Sequence, residues 1–237
     1  MPGWRSVWWW GSPVRLPAEH VDAARVEARG IAEWDAGAVD IDPVHGWRPG
    51  WDAGGWLNPP PDVRRDDRDL VVEAAEGSDL WRTTSYGFVH DTGHALLADF
   101  PDRTAAEVTF IADLTAQFDQ AGLLVRGDAE HWVKAGVELS DGVPQVGAVV
   151  TRHVSDWSVA PVPTWRGALV TVRASREGDA LTVRARAGDD PWRLVRVAPL
   201  PPGLLQVGLY CCAPTRAGLR VRFTDLQLTE VDRSLHD

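Results

Sequence analysis

The chain has 237 residues, of which 44% are hydrophobic and 24% are charged. These fractions are typical of a folded globular protein and exclude a chain that is disordered by composition. Acidic residues outnumber basic ones by 34 to 24, which gives a net charge of −10. Because an acidic surface repels phosphate groups, we predict neither a nucleic-acid partner nor binding to a membrane. A single β-sandwich commonly reaches this length, so we predict one core.

Two adjacent cysteines, Cys211 and Cys212, are the only cysteines in the chain. Neighbouring residues do not reach the geometry of an ordinary disulfide bridge, so we predict reduced thiols. The first twenty residues contain four tryptophans, but three prolines and Arg15 interrupt them. No apolar stretch there has the length of a signal peptide or a membrane-spanning helix. These features together predict a cytoplasmic protein.

Residues 1–46 are predicted to form an N-terminal extension. Apolar residues spaced by three and four predict a short helix over residues 18–35. The Trp-rich opening suits either a docking arm for a protein partner or a segment packed loosely on the domain, and we favour the second. Residues 46–62 are rich in Gly, Pro and Trp, and the run Asn58-Pro59-Pro60-Pro61 excludes a regular helix and a central strand. We predict a loop there.

From Asp69 onward the hydrophobic pattern has a period of two, which is typical of half-buried strands. Apolar residues alternate with polar ones in the segments 106–114, 132–139 and 181–186. The pattern predicts sheets that are covered by the core on one side only. Turn sequences at residues 140–142, 176–179 and 187–190 predict hairpins between such strands.

The last predicted strand changes the side on which its apolar residues fall. Leu219, Val221 and Phe223 have odd numbers, whereas Leu226 and Leu228 have even numbers. A bulge near residues 224–225 would keep both sets inside. We predict that the sandwich domain spans residues 47–230 and that residues 231–237 form a tail.

Several stretches within residues 56–228 carry a resemblance to a known family. They are WLNPP (56–60), DLWRTTSYGF (79–88), DTGH (91–94), FDQAGLLVR (118–126), WVKAGVE (132–138), VVTR (149–152) and SDWS (155–158). On these residues the chain resembles the domain-of-unknown-function family 1349, also called the regulation-of-enolase, concanavalin A-like family. The resemblance implies an all-β fold, a concanavalin A-like jelly-roll sandwich of two antiparallel sheets. That family has no firmly assigned reaction.

Polar residues on two neighbouring predicted strands, 119–126 and 132–139, indicate one candidate ligand-binding face. If the apolar residues of both strands point inward, the polar ones must emerge together on the opposite surface. They are Gln120, Arg126, Lys134 and Glu138. Glycines 122 and 136 share that surface, and a mid-strand glycine weakens a strand unless something must approach the backbone closely. We interpret that something as a ligand, although each polar residue alone also suits a solvated face.

Aromatic rings beside orienting polar groups form typical surfaces for sugars. Tyr86 and Trp157 are the candidates here, although most tryptophans serve as core or loop anchors, and we assign Trp81 and Trp192 to packing. His90 and Arg152 complete the predicted ligand-binding set.

Two clusters raise a metal hypothesis. Residues 90–94 offer two imidazoles and a carboxylate, which suit a transition metal, but Asp91-Thr92-Gly93 also suits a hairpin turn and we favour the turn. Asp128, Glu130 and His131 suit a solvated loop or a calcium site. We predict no metal and no cofactor.

The sequence contains no recognised catalytic motif. A nucleophile elbow, an H-E-x-x-H helix, a P-loop and a dinucleotide fingerprint are all missing, and so is the E-x-D-x-E strand of glycosidases on this fold. Glu138 and Asp141 are the nearest suggestive pair of carboxylates. We therefore favour a protein that is not an enzyme.

The favoured function is a non-catalytic binding module for a carbohydrate or an anionic small metabolite, because Arg126 and Lys134 suit anionic groups. One alternative is a protein-interaction or regulatory protein of metabolism. Another is a glycan-active hydrolase with Glu138 as acid or base. From a surface position we also expect Lys134→Ala and Glu138→Ala to abolish ligand binding and to change stability by no more than about 1 kcal/mol.

Overall fold

A computed structural model describes residues 51–200 and 203–236, and all of them belong to one compact unit of the chain. The predicted helix over residues 18–35 and the Trp-rich opening lie outside the described residues. In chain order the strands are β1 (Gly55–Leu57), β2 (Asp62–Asp66), β3 (Asp69–Ala74), β4 (Leu80–Arg82), β5 (Val89–Asp91), β6 (His94–Asp99), β7 (Thr104–Ala112), β8 (Gln120–Arg126), β9 (His131–Ser140), β10 (Val143–Arg152), β11 (Val154–Pro161), β12 (Val170–Glu177), β13 (Ala180–Ala187), β14 (Arg193–Pro199), β15 (Gln206–Cys212) and β16 (Leu219–Glu230). A 3₁₀ turn lies at Pro163–Trp165. No helix within the described residues is long and apolar enough to cross a membrane.

Fourteen of these strands form two antiparallel sheets of seven strands each. Sheet I has the order β1-β6-β15-β8-β9-β10-β11, and sheet II has the order β14-β13-β12-β7-β16-β3-β2. The remaining two strands, β4 and β5, pair only with each other as a small hairpin. The two sheets face one another across a shared apolar core. This is the predicted concanavalin A-like jelly-roll sandwich, so the fold class is confirmed.

The core consists of the apolar residues that the period-two pattern places on the inner faces of both sheets. Examples are Val108, Leu123, Val133 and Val183, all of which are buried. The rings of Phe110 and Phe223 meet with their centroids 6.0 Å apart. Burial of each such side chain contributes about 1.5–3 kcal/mol to folding.

The predicted bulge in the last strand is confirmed. The register between β16 and β7 shifts between Phe223 and Asp225. One extra residue on the bulged strand changes the side on which the following residues fall. As a result Leu226 and Leu228 are buried in the same core as Phe223.

Hairpin turns lie where the turn sequences predict them. Asp141 and Gly142 join β9 to β10 with φ angles of 52° and 77°. Two consecutive positive φ angles are typical of the turn type that matches the twist of paired strands. The turns at residues 176–179 and 187–190 join β12 to β13 and β13 to β14.

The predicted loop over residues 46–62 is wrong at Gly55–Leu57, which form β1. This strand pairs with β6 at the edge of sheet I, directly before the proline run. A strand of three residues is too short to show a period in the sequence. Its edge position agrees with the exclusion of a central strand, since proline is tolerated beside an edge.

Residues beyond β16 pack against the outer face of sheet II. The carboxylate of Asp232 accepts hydrogen bonds from Arg173, at 2.8 Å, and from Arg184. Arg184 also donates to the backbone carbonyls of Ser234 and Leu235. The described part of the predicted tail is therefore tied to the domain by two arginines.

Candidate functional site

The outer face of sheet I, which is the face turned away from the core, is largely covered. Residues 75–93 cross it and carry the β4–β5 hairpin. A second apolar cluster lies between the hairpin and the sheet, formed by Leu80, Trp81, Ala95, Leu97, Leu124, Trp132, Val149, Tyr210 and Cys212. The prediction that the sheets are covered on one side only is therefore wrong for sheet I. The predicted packing role of Trp81 agrees with its place in this cluster.

A groove remains open on this face beside the hairpin. We call it the glycine groove; its lining includes Lys134, Gly136, Glu138, Gly147, Val149, Trp157, Val159 and Tyr210. The cavity holds about 10 Å³, which is roughly the smallest volume that takes one water. A larger ligand would therefore lie along the groove, in contact with solvent.

Three glycines lie side by side across the sheet at this point. Gly136 of β9 is paired with Gly122 of β8 on one side and with Gly147 of β10 on the other. Tyr210 and Val159 continue the same row on the neighbouring strands. The three glycines therefore form a strip without side chains, with Tyr210 at one end and Val159 at the other.

The structure explains these mid-strand glycines differently from the predicted approach of a ligand. A Cβ on Gly136 would overlap the backbone carbonyl of Ala121, and a Cβ on Gly122 would overlap that of Ala135. The group that approaches these glycines is therefore the adjacent strand of the same sheet. Close strand packing explains them without a ligand, and the bare strip is a consequence of that packing.

Asp79, directly before β4, connects the hairpin to the predicted site. Its Oδ1 atom lies 3.1 Å from Nζ of Lys134 and 3.3 Å from Nε2 of Gln120. Its backbone carbonyl accepts hydrogen bonds from the N–H groups of Thr92 and Gly93, both at 2.9 Å. Sequence analysis missed this residue, because its partners lie 41 and 55 positions further along the chain. Only the placement of the hairpin brings them together.

Lys134 is buried, with only 4% of its side chain exposed. Burial by itself would lower the pKa of its ammonium group, but the attraction of Asp79 together with smaller contributions from Cys212 and Glu138 outweighs this, and the pKa is raised. Lys134 therefore stays protonated at neutral pH as half of a buried ion pair. The expectation of a change of no more than about 1 kcal/mol on truncation assumed a surface position, and that assumption is wrong.

Glu138 lies four residues further along β9, on the same face as Lys134 and opposite Gln120 on β8. Burial raises the pKa of its carboxyl group to about 7, with the Lys134 charge opposing the rise and the Asp79 charge adding to it. Its Oε1 atom is buried and has no hydrogen-bond partner within the described part of the chain, and the same holds for Oε1 of Gln120. Two unpartnered acceptor oxygens therefore lie on neighbouring strands.

The predicted site residues divide into two groups. Lys134, Glu138 and Trp157 line the glycine groove, and Gln120 lies beside them on the same face. Arg126 emerges on this face too, but at the other end of β8, about 20 Å from Gln120 along the strand. It binds Asp91 through two hydrogen bonds of 2.8 Å each.

Three further predicted residues lie outside the groove lining. The side chain of Arg152 is on the same side of β10 as the core-facing residues, and it is exposed because it lies at the end of that strand. His90 lies on β5, where its ring meets the edge of Phe88 with centroids 4.7 Å apart. Tyr86 is 52% exposed at the tip of the hairpin.

Aromatic contacts connect the groove to the hairpin. The ring of Trp157 meets that of Trp81 edge to face at 6.4 Å, and Trp81 meets Tyr86 at 5.5 Å. Tyr86 in turn stacks on Phe88 at 5.4 Å. The two predicted aromatic residues therefore belong to one row of rings, with Trp157 at its end in the groove and Tyr86 between Trp81 and Phe88.

The structure explains the histidines of residues 90–94 without a metal. In His94, Nδ1 lies 2.7 Å from the carbonyl of Asn58, and Nε2 accepts the N–H of Ala75 at 3.0 Å. No group of three or more metal-ligating side chains comes together within residues 51–200 and 203–236. The prediction of a hairpin turn at Asp91-Thr92-Gly93 is wrong, because β5 and β6 do not pair with each other. This segment instead carries the chain from the hairpin into sheet I.

The cluster around Asp128 is a hydrogen-bonded loop. Its Oδ1 atom accepts the backbone N–H groups of Glu130, at 2.7 Å, and of His131, at 2.8 Å. Glu130 pairs with Arg82 at 2.6 Å and with His153 at 2.8 Å. These contacts attach the hairpin to the turn between β8 and β9.

The two cysteines point to opposite faces of β15. Cys211 belongs to the main core and Cys212 to the cluster under the hairpin, and both are free thiols. Burial raises the pKa of Cys211 to about 12 and that of Cys212 well above its ordinary value. A protonated, buried thiol is inert as a nucleophile.

Comparison with known proteins identifies the family. Residues 56–231 match the family described as "Protein of unknown function (DUF1349)". The chain belongs to this family. The resemblance inferred from the sequence motifs is thereby confirmed.

This DUF1349 chain is also similar to individual proteins. It is 37% identical over 186 residues to "Regulation of enolase protein 1" of Saccharomyces cerevisiae, which covers 78% of this chain and 93% of that protein. A crystal structure of a functionally unknown protein from the same yeast matches with a TM-score of 0.72 and 36% identity, over 76% of this chain and 97% of that one. A xylan β-1,4-xylosidase from Bacillus halodurans matches with a TM-score of 0.60 and 15% identity, over 76% of this chain and 38% of that one. This last likeness shows the fold alone.

Proposed function

We propose that the chain is a carbohydrate-binding module and that a sugar ring lies in the glycine groove against the indole of Trp157. The observation that carries the proposal is the position of this half-buried ring beside Lys134 and Glu138 in a groove open to solvent. An aromatic face beside a few orienting polar groups suits the mixed apolar and hydroxylated surface of a sugar. The fold shared with part of a xylosidase also supports this choice.

Trp157→Ala is expected to weaken glycan binding at least tenfold, because it removes the ring on which the sugar rests. Isothermal titration with the tightest ligand from a glycan array measures the change. Trp192→Ala is the matched control, since this indole stacks on Arg186, 4.3 Å away, which lies on sheet II. Equal affinity of Trp157→Ala and the unchanged protein would refute the proposed groove, and an array without any binding would refute the module.

A second candidate function is regulation through a protein partner, and it rests on two observations. The yeast relative is named for regulation of enolase. The hairpin tip, which we define as Tyr86, Phe88 and Val89, exposes 52%, 42% and 52% of these apolar residues. Exposed aromatic residues of this kind are enriched in protein interfaces. Both candidate functions agree with the predicted cytoplasmic location.

Purified enolase is the first partner to test. If the second candidate is right, enolase binds the immobilised chain, and the double variant Tyr86→Ser, Phe88→Ser binds it at least tenfold more weakly. Trp157→Ala serves as the control that leaves this interaction unchanged. Deletion of residues 1–46 tests in the same assay whether the Trp-rich opening contributes. Absence of any enolase binding contradicts the second candidate and leaves the first in place.

A further inference from the structure

We infer that the ligand of the glycine groove is a neutral sugar or polyol, not an anionic one, and that it donates hydroxyl hydrogens to the carboxylate of Glu138. This inference rests on the proposed function and names the class of ligand for the same site. It replaces the sequence-based preference for anionic metabolites, which depended on free Lys and Arg side chains.

The cations on this face already have carboxylate partners. Lys134 is held by Asp79 at 3.1 Å and is almost completely buried. Arg126, the other predicted anion ligand, binds both oxygens of Asp91 at 2.8 Å. An incoming phosphate or carboxylate would have to displace Asp79 or Asp91 from these cations, at the cost of leaving a partly buried acid unpaired.

Two buried groups left over on this face are acceptors. Oε1 of Glu138 and Oε1 of Gln120 are buried and have no hydrogen-bond partner within the described part of the chain. The amide nitrogen of Gln120 donates to the carbonyl of Phe118 at 3.1 Å and to Asp79 at 3.3 Å, which leaves its oxygen as the free end. Buried acceptors are nearly always satisfied in native proteins, so a donor must come from water or from a ligand.

The ligand class follows from this pattern of donors and acceptors. Sugar hydroxyls donate hydrogen bonds, whereas carboxylate and phosphate oxygens only accept them. An anion would also meet Asp79 and Glu138, two acids beside the single charge of Lys134. A neutral hydroxylated ring supplies the missing donors without adding a charge.

The test compares matched ligands on the full chain by isothermal titration. A panel of neutral tetrasaccharides is paired with the same compounds bearing a uronic acid or a 6-phosphate in one ring. We expect the neutral member of the best-binding pair to bind at least tenfold more tightly than its charged counterparts. We also expect Glu138→Ala to weaken that binding at least tenfold, with partial recovery in Glu138→Gln, which keeps one acceptor oxygen. Glu177→Ala, an exposed carboxylate on sheet II, is the matched control and leaves affinity unchanged.

The outcomes separate this inference from the proposed function. Charged ligands that bind as tightly as the neutral ones, or more tightly, overturn the inference while the binding module stands. Full affinity of a correctly folded Glu138→Ala also overturns it. A panel in which no compound binds overturns the proposed function together with the inference.

Discussion

Lys134→Met is expected to lower the free energy of unfolding by about 3–5 kcal/mol, because it leaves the Asp79 carboxylate uncompensated under the hairpin. The side chain of Asp79 is only 18% exposed, and that of Lys134 only 4%. Asp79 also accepts a hydrogen bond from Gln120, so the loss extends to the contact between the hairpin and β8. Urea denaturation at pH 7, followed by tryptophan fluorescence, measures the change.

Two controls separate a buried charge from a general effect of the substitution. The double variant Asp79→Asn, Lys134→Met removes both charges and is expected to recover most of the lost stability. Arg103→Met breaks an exposed pair with Glu177, whose side chains are 69% and 58% exposed, and should cost less than about 1 kcal/mol. If Lys134→Met costs no more than Arg103→Met, Lys134 behaves as the surface residue that the sequence suggested.

Glu138→Gln is expected to stabilise the protein by about 2–3 kcal/mol at pH 8 and to have little effect at pH 4. The pKa of Glu138 is raised from 4.5 to about 7 in the folded protein, because burial disfavours the ionised carboxyl. Below pH 4.5 the group is protonated in both the folded and the unfolded state. Between pH 4.5 and 7 only the unfolded state releases the proton, so the native protein loses stability as the pH rises through this window. The glutamine variant has no proton to release and escapes the loss.

Unfolding free energies of both proteins at half-unit steps from pH 4 to 8 test this expectation. Glu177→Gln is the control, since this carboxylate is exposed on sheet II, away from the groove. A constant difference between Glu138→Gln and the native protein would show that Glu138 ionises normally in the fold. The hypothesis that Glu138 acts as the acid or base of a hydrolase stays a prediction. A carboxyl group with a pKa near 7 suits that role, because it both gives up and takes up a proton readily at pH 7.

The sequence alone determined the longer strands such as β7, β9 and β13, their inner faces and the turns that follow β9, β12 and β13. The alternation of apolar and polar residues in β7, β9 and β13 decides which side faces the core, because successive side chains of a strand point to opposite faces. Turn residues such as Asp141-Gly142 act over two or three positions and are equally local. The same alternation predicted correctly that Gln120, Arg126, Lys134 and Glu138 share one face of sheet I. All of these are short-range properties that a sequence pattern records.

What covers that face was decided only by the tertiary structure. The β4–β5 hairpin is too short to show a period, and its position brings Asp79 to Lys134 and Asp91 to Arg126 across 55 and 35 positions of the chain. From the sequence this face is predicted to be charged and solvated. In the structure it is largely buried, and Lys134 and Arg126 are each paired with a carboxylate. The sequence likewise suggested that Gly122 and Gly136 leave space for a ligand. In the structure backbone carbonyls of the neighbouring strands occupy that space. Burial and charge pairing depend on which distant segments meet, and alternation within a strand carries no information about that.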